Sequence, residues 1–513
     1  MPTLRRGLLV PLLLAGLAAC AQLPQRPALP IESAVPPSEQ APLDQLIAPA
    51  EASHPGKSAF RLLSDGAEAF FIRARSARLA ARSLDVQTYI WHGDLTGKLL
   101  AHRLLEAADR GVKVRLLVDD MDARAKNAGF AALAAHQNVA VRMFNPFASR
   151  SGALRLFGEG MMNFGRINHR MHNKTWIADN RIAVAGGRNL GDEYFGASDE
   201  VNFVDLDFAV IGPIVRDASA SFDKYWNSAA AYPMELLDPD SVNAKALEAL
   251  RTKLTEAAVA AGTSRYADTL RSDDAVQRLV AGDWPMEWSA NYQFVSDDPL
   301  KATMKEHDPQ RSEVARMLVQ AVQKMEADLT IISPYFVPGE KATTSFVKAA
   351  ATGKRVRILT NSLVANDVAA VHGGYSRYRN ALLEGGVQLW ELKPQAGSDA
   401  QSSVFGSSGA SLHTKAISVD GRTIFVGSYN LDPRSTWLNC EQGVLVENAV
   451  LAQQLEAIFA SQTSGQRAWR VTLKVGEPSW SDGVETFDRD PKASSWRRFQ
   501  AWFARVLHLD AQL

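Results

Sequence analysis

His172 and Lys174, followed by Asp179, Gly186, Gly187 and Asn189, recur as His413 and Lys415, followed by Asp420, Gly427, Ser428 and Asn430. Each His, Lys, Asp and Asn stands 241 positions from its counterpart. Packing alone would repeat apolar positions, so four polar residues recurring in one register point to chemistry shared by two halves. Two imidazoles, two ammonium groups and two carboxamides converging on one pocket suit phosphoryl transfer. The lysines and asparagines would hold non-bridging phosphate oxygens and stabilise developing charge. One imidazole attacks phosphorus to give a covalent phosphohistidine; the other protonates the leaving oxygen and then deprotonates the incoming nucleophile. Water as that nucleophile gives hydrolysis, an alcohol gives transfer. A lone His-x-Lys is a weak signal and more often structural, but two complete copies in register reverse that weighting.

The elements around the motif must bring these groups together. Alternate residues of a strand share a face, so His172 and Lys174 point one way, as do His413 and Lys415. Asp420-Gly421 between apolar runs is a hairpin signal, and Asp179-Asn180 stands at the equivalent place. A hairpin returns Asn189 towards His172 and Asn430 towards His413, with Gly186, Gly187, Gly427 and Ser428 allowing close backbone approach to a ligand. Five strand residues separate Lys174 from Asp179, about 16 Å at roughly 3.3 Å per residue. Asp179 and Asp420 are therefore read as turn or scaffold residues. Carboxylates that could orient the imidazoles lie further on: Asp205, with Asp207 as the weaker alternative on the same alternating face, and Glu441 in the second half. A carboxylate bonded to one ring nitrogen fixes tautomer and orientation.

The motif sits in two stretches of similar grammar. In the first, a helix capped near Asp65 precedes a strand at 84–91, a helix at 97–110 and a strand at 112–118 ending in Asp119-Asp120. In the second, a helical stripe from Val314 to Met325 precedes a strand at 329–336, a helix at 345–351 and a strand at 356–360 ending in Asn361-Ser362. Strand, helix, strand implies a right-handed crossover and parallel pairing in an α/β sheet. Asp119 to His172 is 53 positions and Asn361 to His413 is 52, so the duplication extends well beyond the motif.

The 513 residues comprise 46% hydrophobic and 22% charged positions, a globular balance with chain enough for more than one domain. Lys+Arg 56 against Asp+Glu 56 leaves no net charge. Nothing here favours a nucleic-acid partner, although a local basic groove stays open. Arg5 and Arg6, an apolar run from Leu8 to Ala15 and a small-residue end at Cys20 have the layout of an export signal, too short to span a bilayer. Cys440 is then the only other cysteine and cannot form an internal disulfide; it reads as a small buried residue. No Cys/His cluster has zinc-site spacing, so neither a metal nor another cofactor is implied. Eight prolines between Ala21 and Gly56 suggest an extended tether across 21–57. The globular halves are expected at 58–228 and 310–465, joined by a helical connector or lid at 229–309. The tail at 466–513 is expected to be irregular until its end, where aromatic residues alternate with Arg between Trp496 and Leu507. That pattern suits either a helix at a membrane interface or one packed on the body.

His-x-Lys-x4-Asp in two copies, each trailed by Gly-Gly or Gly-Ser and Asn, resembles the phospholipase D superfamily from about Ser58 to the C-terminus. Segments 170–174, 186–195, 225–228, 333–339, 360–363 and 430–435 are similar to bacterial cardiolipin synthases of the C type, and the residues around Cys20 resemble a lipoprotein box. The first resemblance implies two α/β/α sandwiches related by a pseudo-twofold, with the active site at their interface. It also implies transfer of a phosphatidyl group between phospholipids at a membrane, making cardiolipin from phosphatidylglycerol with a second phosphatidylglycerol or with phosphatidylethanolamine, donor and acceptor being left open. By analogy His172 is the nucleophile and His413 the acid/base, an order that internal symmetry leaves open. Hydrolysis of phospholipid or nucleic acid is the alternative, and a catalytically silent lipoprotein scaffold a third. The lipoprotein resemblance implies lipidation at Cys20 and a site on the periplasmic side of the envelope. Ala21 favours the outer membrane over the inner.

Overall fold

The two stretches of similar grammar fold into two sheets with one shared topology, in a computed structural model that describes residues 23–123, 126–150, 163–303, 308–366, 368–394 and 412–507. The first sheet comprises β1 (Ser58–Leu63), β2 (Ser83–Thr88), β3 (Lys113–Asp119), β4 (Val139–Phe144), β5 (Thr175–Ala178), β6 (Ile182–Gly186), β7 (Asp207–Ile211), β8 (Ala231–Pro233) and β9 (Glu287–Ser289). Its spatial order is β8-β4-β3-β2-β5-β6-β7-β1-β9. The second comprises β10 (Tyr292–Ser296), β11 (Asp328–Ile332), β12 (Arg355–Asn361), β13 (Gln388–Leu392), β14 (Ala416–Val419), β15 (Thr423–Gly427), β16 (Gln442–Glu447), β17 (Ala468–Lys474), β18 (Glu477–Ser481) and β19 (Thr486–Phe487). Its order, β10-β16-β15-β14-β11-β12-β13-β17-β18-β19, is the first read from the other edge, with β9 and β18–β19 as additions. In both, three parallel strands (β2–β3–β4 and β11–β12–β13) adjoin an antiparallel hairpin that follows the motif.

This topology moves the expected boundaries. β8 and β10 lie within the expected connector, yet they are the outer strands of the first and second sheets, and β9 pairs with β1. β17 to β19 lie in the tail expected to be irregular and extend the second sheet. β8, β9 and β10 are short strands that find their partners far away in sequence, whereas β17 and β18 pair locally across the turn at Val475-Gly476. The long connector helix Ala244–Ala261 buries only Leu254 and Ala261 fully, so composition exposed it more readily than the strands beside it.

Helices pack on both faces of each sheet. Gly66–Leu79, capped by the Asp65 carboxylate on the Glu68 N–H (3.0 Å), and Leu95–Asp109 cover the outer face of the first. Ile214–Asn227 covers the inner face, and Ala449–Gln462 does so in the second. One apolar core runs continuously between the halves, joining Phe60, Phe208, Phe222 and Trp226 to Ile332, Val444, Leu455 and Phe459. Burial of this shared surface, worth about 25 cal/mol per Å², holds the two sheets as one body.

The Pro-rich segment is a strap, not a free tether. Arg26 Nε donates to the Ala231 carbonyl (2.8 Å), and Glu32 pairs with Lys113 (2.6 Å) and Arg142 (3.0 Å). The helix Pro42–Ala52 then buries Leu43, Ile47 and Asp44, the last between Arg82 and Arg181. Proline content limits regular backbone hydrogen bonding but says nothing of the side chains between the prolines, and those dock the strap. Cys20 and the rest of the leader lie outside the described residues.

Candidate active site

Each motif segment is positioned first by the end of a parallel strand. The Asp119 carboxylate at the end of β3 accepts from the Met171 N–H (2.8 Å) and from Arg170 (3.3 Å). Asn361 at the end of β12 exchanges hydrogen bonds with the backbone of Leu412 (3.2 and 3.4 Å). These anchors deliver His172 and His413 to the interface between the halves, which accounts for the similar spacings of 53 and 52.

Each segment then hydrogen-bonds to the opposite half. The His172 N–H donates to the Cys440 carbonyl (2.8 Å) and the Cys440 N–H to the Arg170 carbonyl (2.8 Å); the His413 N–H donates to the Val204 carbonyl (2.8 Å). Cys440 precedes Glu441 and Val204 precedes Asp205. The carboxylates are therefore exchanged. His172 Nδ1 lies 2.9 Å from Glu441 Oε2 and 3.0 Å from the Ser428 carbonyl, and His413 Nδ1 lies 2.5 Å from Asp205 Oδ2. Both expected carboxylates meet an imidazole, but each serves the histidine of the other half. Asp207 does not share the Asp205 face: it is buried in ion pairs with Arg73 (2.9 Å) and Arg188 (3.3 Å). The alternation expected through 204–208 fails because β7 begins only at Asp207, and Asp205 precedes the regular strand.

The acceptors around His172 fix its tautomer. A carbonyl and a carboxylate only accept, so Nδ1 carries the proton and Nε2 keeps its lone pair. Burial lowers the His172 pKa to about 4 against the opposing pull of Glu441, so the ring is neutral near pH 7. Burial alone would raise the Glu441 pKa. The hydrogen bond from His172, the charge of Lys174 and the Ser428 hydroxyl outweigh it, and Glu441 stays ionised. The Ser435 hydroxyl adds a further bond (2.9 Å). At the second histidine desolvation dominates both partners. His413 is held well below its ordinary value by burial and by the charges of Lys415, Lys174 and His172, while burial raises Asp205. The exchanged pairs, His172 with Glu441 and His413 with Asp205, bring both motif copies to one interface.

Lys174 Nζ donates to the His172 carbonyl (2.6 Å), and Lys415 Nζ does the same to His413. Burial drops the Lys174 pKa well below the usual value, with Glu441 opposing, so this ammonium lacks a full counter-charge in the resting site. The asparagines differ. Asn189 is partly committed to scaffold, donating to Tyr194 Oη (2.9 Å) and accepting from the Ile90 N–H (3.2 Å). Asn430 Oδ1 is buried with no hydrogen-bond partner among the described residues.

The expectation that the glycines admit a ligand needs correction. A Cβ on Gly187 would overlap the Asp205 carboxylate, one on Gly186 would meet Asp207, and one on Gly427 would meet the Gln442 carbonyl. These positions make room for the orienting carboxylates and the neighbouring strand. Ser428, the counterpart of Gly187, instead hydrogen-bonds Glu441 through its hydroxyl. Asp179 and Asp420 lie at the hairpin tips with positive φ, 52° and 54°. Asp179 accepts from the N–H groups of Ala81, Arg82 and Ser83 (2.8–2.9 Å), and Asp420 from those of Glu326, Ala327 and Asp328 (2.8–2.9 Å). Both knit a hairpin to the start of a parallel strand.

Several supporting residues escaped the sequence. Tyr89 meets the His172 ring edge-on (5.1 Å between centroids), while Tyr194 (5.2 Å) and Phe203 (5.5 Å) flank His413. Gln442 Nε2 bridges the halves by donating to the Lys174 carbonyl (2.8 Å) and to Thr175. Aromatic and amide residues of this kind carry no spacing signal without knowledge of how the halves dock.

Comparison with known proteins agrees with this arrangement. The family described as "Cardiolipin synthase, PLD-like domain" matches residues 75–226 and 318–463. Cardiolipin synthase C of Escherichia coli (strain K12) is 38% identical over 478 residues, covering 91% of this chain and 99% of that protein. Cardiolipin synthase A of Pseudomonas syringae pv. syringae is 26% identical over 404 residues, covering 78% and 67%. The crystal structure of phosphatidylserine synthase from Haemophilus influenzae superposes with a TM-score of 0.57 at 15% identity, covering 91% of this chain and all of that one, a likeness of fold. Two matched repeats and a relative similar over nearly its whole length show that the chain belongs to the phospholipase D-like cardiolipin synthase family.

Proposed function

We propose that this chain is a phosphatidyltransferase that joins two phospholipids through a phosphohistidine on His172, with phosphatidylglycerol or phosphatidylethanolamine as phosphatidyl donor and the headgroup hydroxyl of phosphatidylglycerol as acceptor. One observation carries the reading: an imidazole held neutral, with its Nδ1 proton pinned between Glu441 and the Ser428 carbonyl, beside a second imidazole paired to Asp205. Nε2 of His172 attacks phosphorus, and the bond from phosphorus to the headgroup oxygen breaks. His413 gives that oxygen a proton, then takes one from the hydroxyl of the second lipid as it displaces His172. The phosphodiester anion supplies the negative charge that Lys174 lacks in the resting site, and its arrival lets His413 take up from solvent the proton that it then delivers to the leaving oxygen. Asn430 and the remaining N–H capacity of Asn189 hold the non-bridging oxygens. The 38% identity to a cardiolipin synthase supports lipid as substrate.

Labelled phosphatidylglycerol tests this. Cardiolipin and free glycerol are expected, and His172→Ala and His413→Ala are each expected to abolish them. Phosphatidic acid as the sole lipid product would instead make the enzyme a hydrolase, and full activity in either variant would refute the shared site. We further propose that Cys20 is lipidated and holds the enzyme on the periplasmic side of the envelope, at the outer membrane. Labelled palmitate retained by the wild type and lost in Cys20→Ser would support the anchor, and membrane fractionation would test its location.

A further inference from the structure

The helix Ser495–Val506 turns two different faces outward and inward. Arg497, Ala501 and Ala504, at helical spacing, are buried on the body. Gly373 lets the helix Ala369–Glu384 approach so closely that a Cβ there would overlap the Ala501 carbonyl. Arg497 reaches inward to the carbonyls of Leu363 (2.8 Å) and Asn366. The opposite face carries Trp496, Phe499, Trp502 and Phe503, which are 63, 47, 49 and 47% exposed. Phe499 contacts the other three rings at centroid distances of 5.5 to 6.0 Å, so they form one continuous patch. Isolated exposed apolar residues are ordinary, whereas a contiguous aromatic patch on a firmly anchored helix calls for an occupant.

Charge and position identify that occupant. Residues 491–507 include Lys492, Arg497, Arg498 and Arg505 and no carboxylate. Lys492 and Arg505 are exposed on the same segment as the rings. Aromatic rings flanked by cations match the interface of an anionic bilayer, where rings sit at headgroup depth and basic groups meet phosphate. The loop clamped by Arg497 directly follows β12, whose last residue Asn361 holds Leu412, the neighbour of His413. The patch is therefore mounted on the same strand end as the site.

We infer that the helix Ser495–Val506 is a docking platform for the surface of an anionic phospholipid bilayer, setting the catalytic interface against the membrane that supplies its lipids. The inference rests on the phosphatidyl-transfer reading for its purpose, but not for its binding. The full chain made by cell-free synthesis carries no acyl chain on Cys20, and its leader is common to wild type and variants, so a difference in capture between them reports this surface. Flotation with vesicles of phosphatidylethanolamine and phosphatidylglycerol should capture the wild type. Combined Trp496→Ser, Phe499→Ser, Trp502→Ser and Phe503→Ser should weaken capture by at least about tenfold, four interfacial rings being removed. Turnover of vesicle lipid should fall with it, while turnover of a short-chain soluble phosphatidylglycerol stays within about twofold, since no ring touches the site. Lys492→Glu with Arg505→Glu should weaken capture on anionic vesicles and leave the weaker capture on phosphatidylcholine unchanged.

Equal capture of the wild type and the four-ring variant would overturn the inference. So would a dimer of the wild type that the four-ring variant disperses, because the patch would then be covered by a second copy. Capture lost as expected, in a protein whose wild type turns over neither lipid form, would support the docking surface and refute the phosphatidyl-transfer reading.

Discussion

Glu441→Gln tests the exchanged wiring because the site tolerates the amide. Glu441 Oε2 accepts from His172 Nδ1 and the Ser428 hydroxyl, and Oε1 accepts from the Ser435 hydroxyl. A glutamine with its oxygen at the Oε2 position keeps the first two bonds, and its N–H group donates to Ser435, whose hydroxyl can accept. What disappears is the charge. In the proposed reaction, attack by Nε2 on phosphorus leaves the His172 ring positive, with a buried carboxylate 2.9 Å from Nδ1. At an effective dielectric of about 20, that separation gives about 6 kcal/mol as an upper bound. The difference between charged and neutral hydrogen bonds sets a floor of about 1–2 kcal/mol. A loss of about 2–4 kcal/mol in the attack step, about 30- to 1000-fold in rate, lies between them.

The assay uses a nitrophenyl phosphatidyl ester, whose leaving group needs no proton. The burst of nitrophenol then reports attack by His172 alone, and the later steady state reports breakdown of the adduct with help from His413. Glu441→Gln should slow the burst by the stated factor. Asp205→Asn should leave the burst within about threefold and depress the steady state. Equal slowing of the burst by both variants, or none from Glu441→Gln, would refute the wiring. Slowing by Asp205→Asn alone would reverse the roles of the two histidines.

Asp179→Asn turns an N–H group against the Ala81 amide at a fully buried site, and should cost about 2–3 kcal/mol in denaturant unfolding while activity per folded molecule is kept. Asp420→Asn at its half-exposed counterpart should cost about 1 kcal/mol or less. Burial would raise the Asp420 pKa, but the N–H groups of Glu326, Asp328 and Ala327 outweigh it and lower the value, so its contribution should persist above about pH 4 and fade only in stronger acid. Because His172 is neutral down to about pH 4, kcat/KM for a soluble substrate should show no acid limb from this residue near 6.5, and one near 4 instead. Between those values the unfolded chain binds a proton that the folded site refuses, so stability should fall as pH drops through that window. Gly187→Ala drives a methyl group into the Asp205 carboxylate and should cost about 1–3 kcal/mol, with at least about tenfold lower turnover in a protein of unchanged circular dichroism.

The duplication was legible because polar residues with a common task stay in register, and hairpin chemistry at Asp179-Asn180 and Asp420-Gly421 located both turns. The placement of the two aspartates at the hairpin tips, away from the histidines, followed from strand length alone, before any partner was known. Which histidine each carboxylate serves was not legible, since spacing along one half says nothing about how that half docks on another. The glycines were misjudged for a related reason. A missing side chain shows that something approaches, but not whether it is ligand, strand or carboxylate. The strap at 23–57 was hidden by its prolines, although Glu32 and Asp44 were visible charges awaiting basic partners on the body. At the C-terminus the sequence offered a packed helix or an exposed amphipathic one, and the structure assigns each to a different face of the same helix.

Two nearly identical motifs need not make two equivalent histidines. Glu441 is held by two serine hydroxyls as well as by His172 and remains ionised, whereas Asp205 has the Leu206 N–H (2.8 Å) as its backbone donor and is raised by burial. A fixed carboxylate suits the ring that must become positive and stay so while it carries phosphorus. A carboxylate of raised pKa, 2.5 Å from its imidazole, suits the ring that must gain and lose a proton within one cycle. The electrostatic difference therefore favours His172 as nucleophile, where the repeated sequence is symmetric. It arises from the donors around each carboxylate: Ser428 stands where the first half has Gly187, and Ser435 approaches from the helix Pro433–Trp437. Neither half could express this difference alone, because each supplies the carboxylate that the other half's histidine uses.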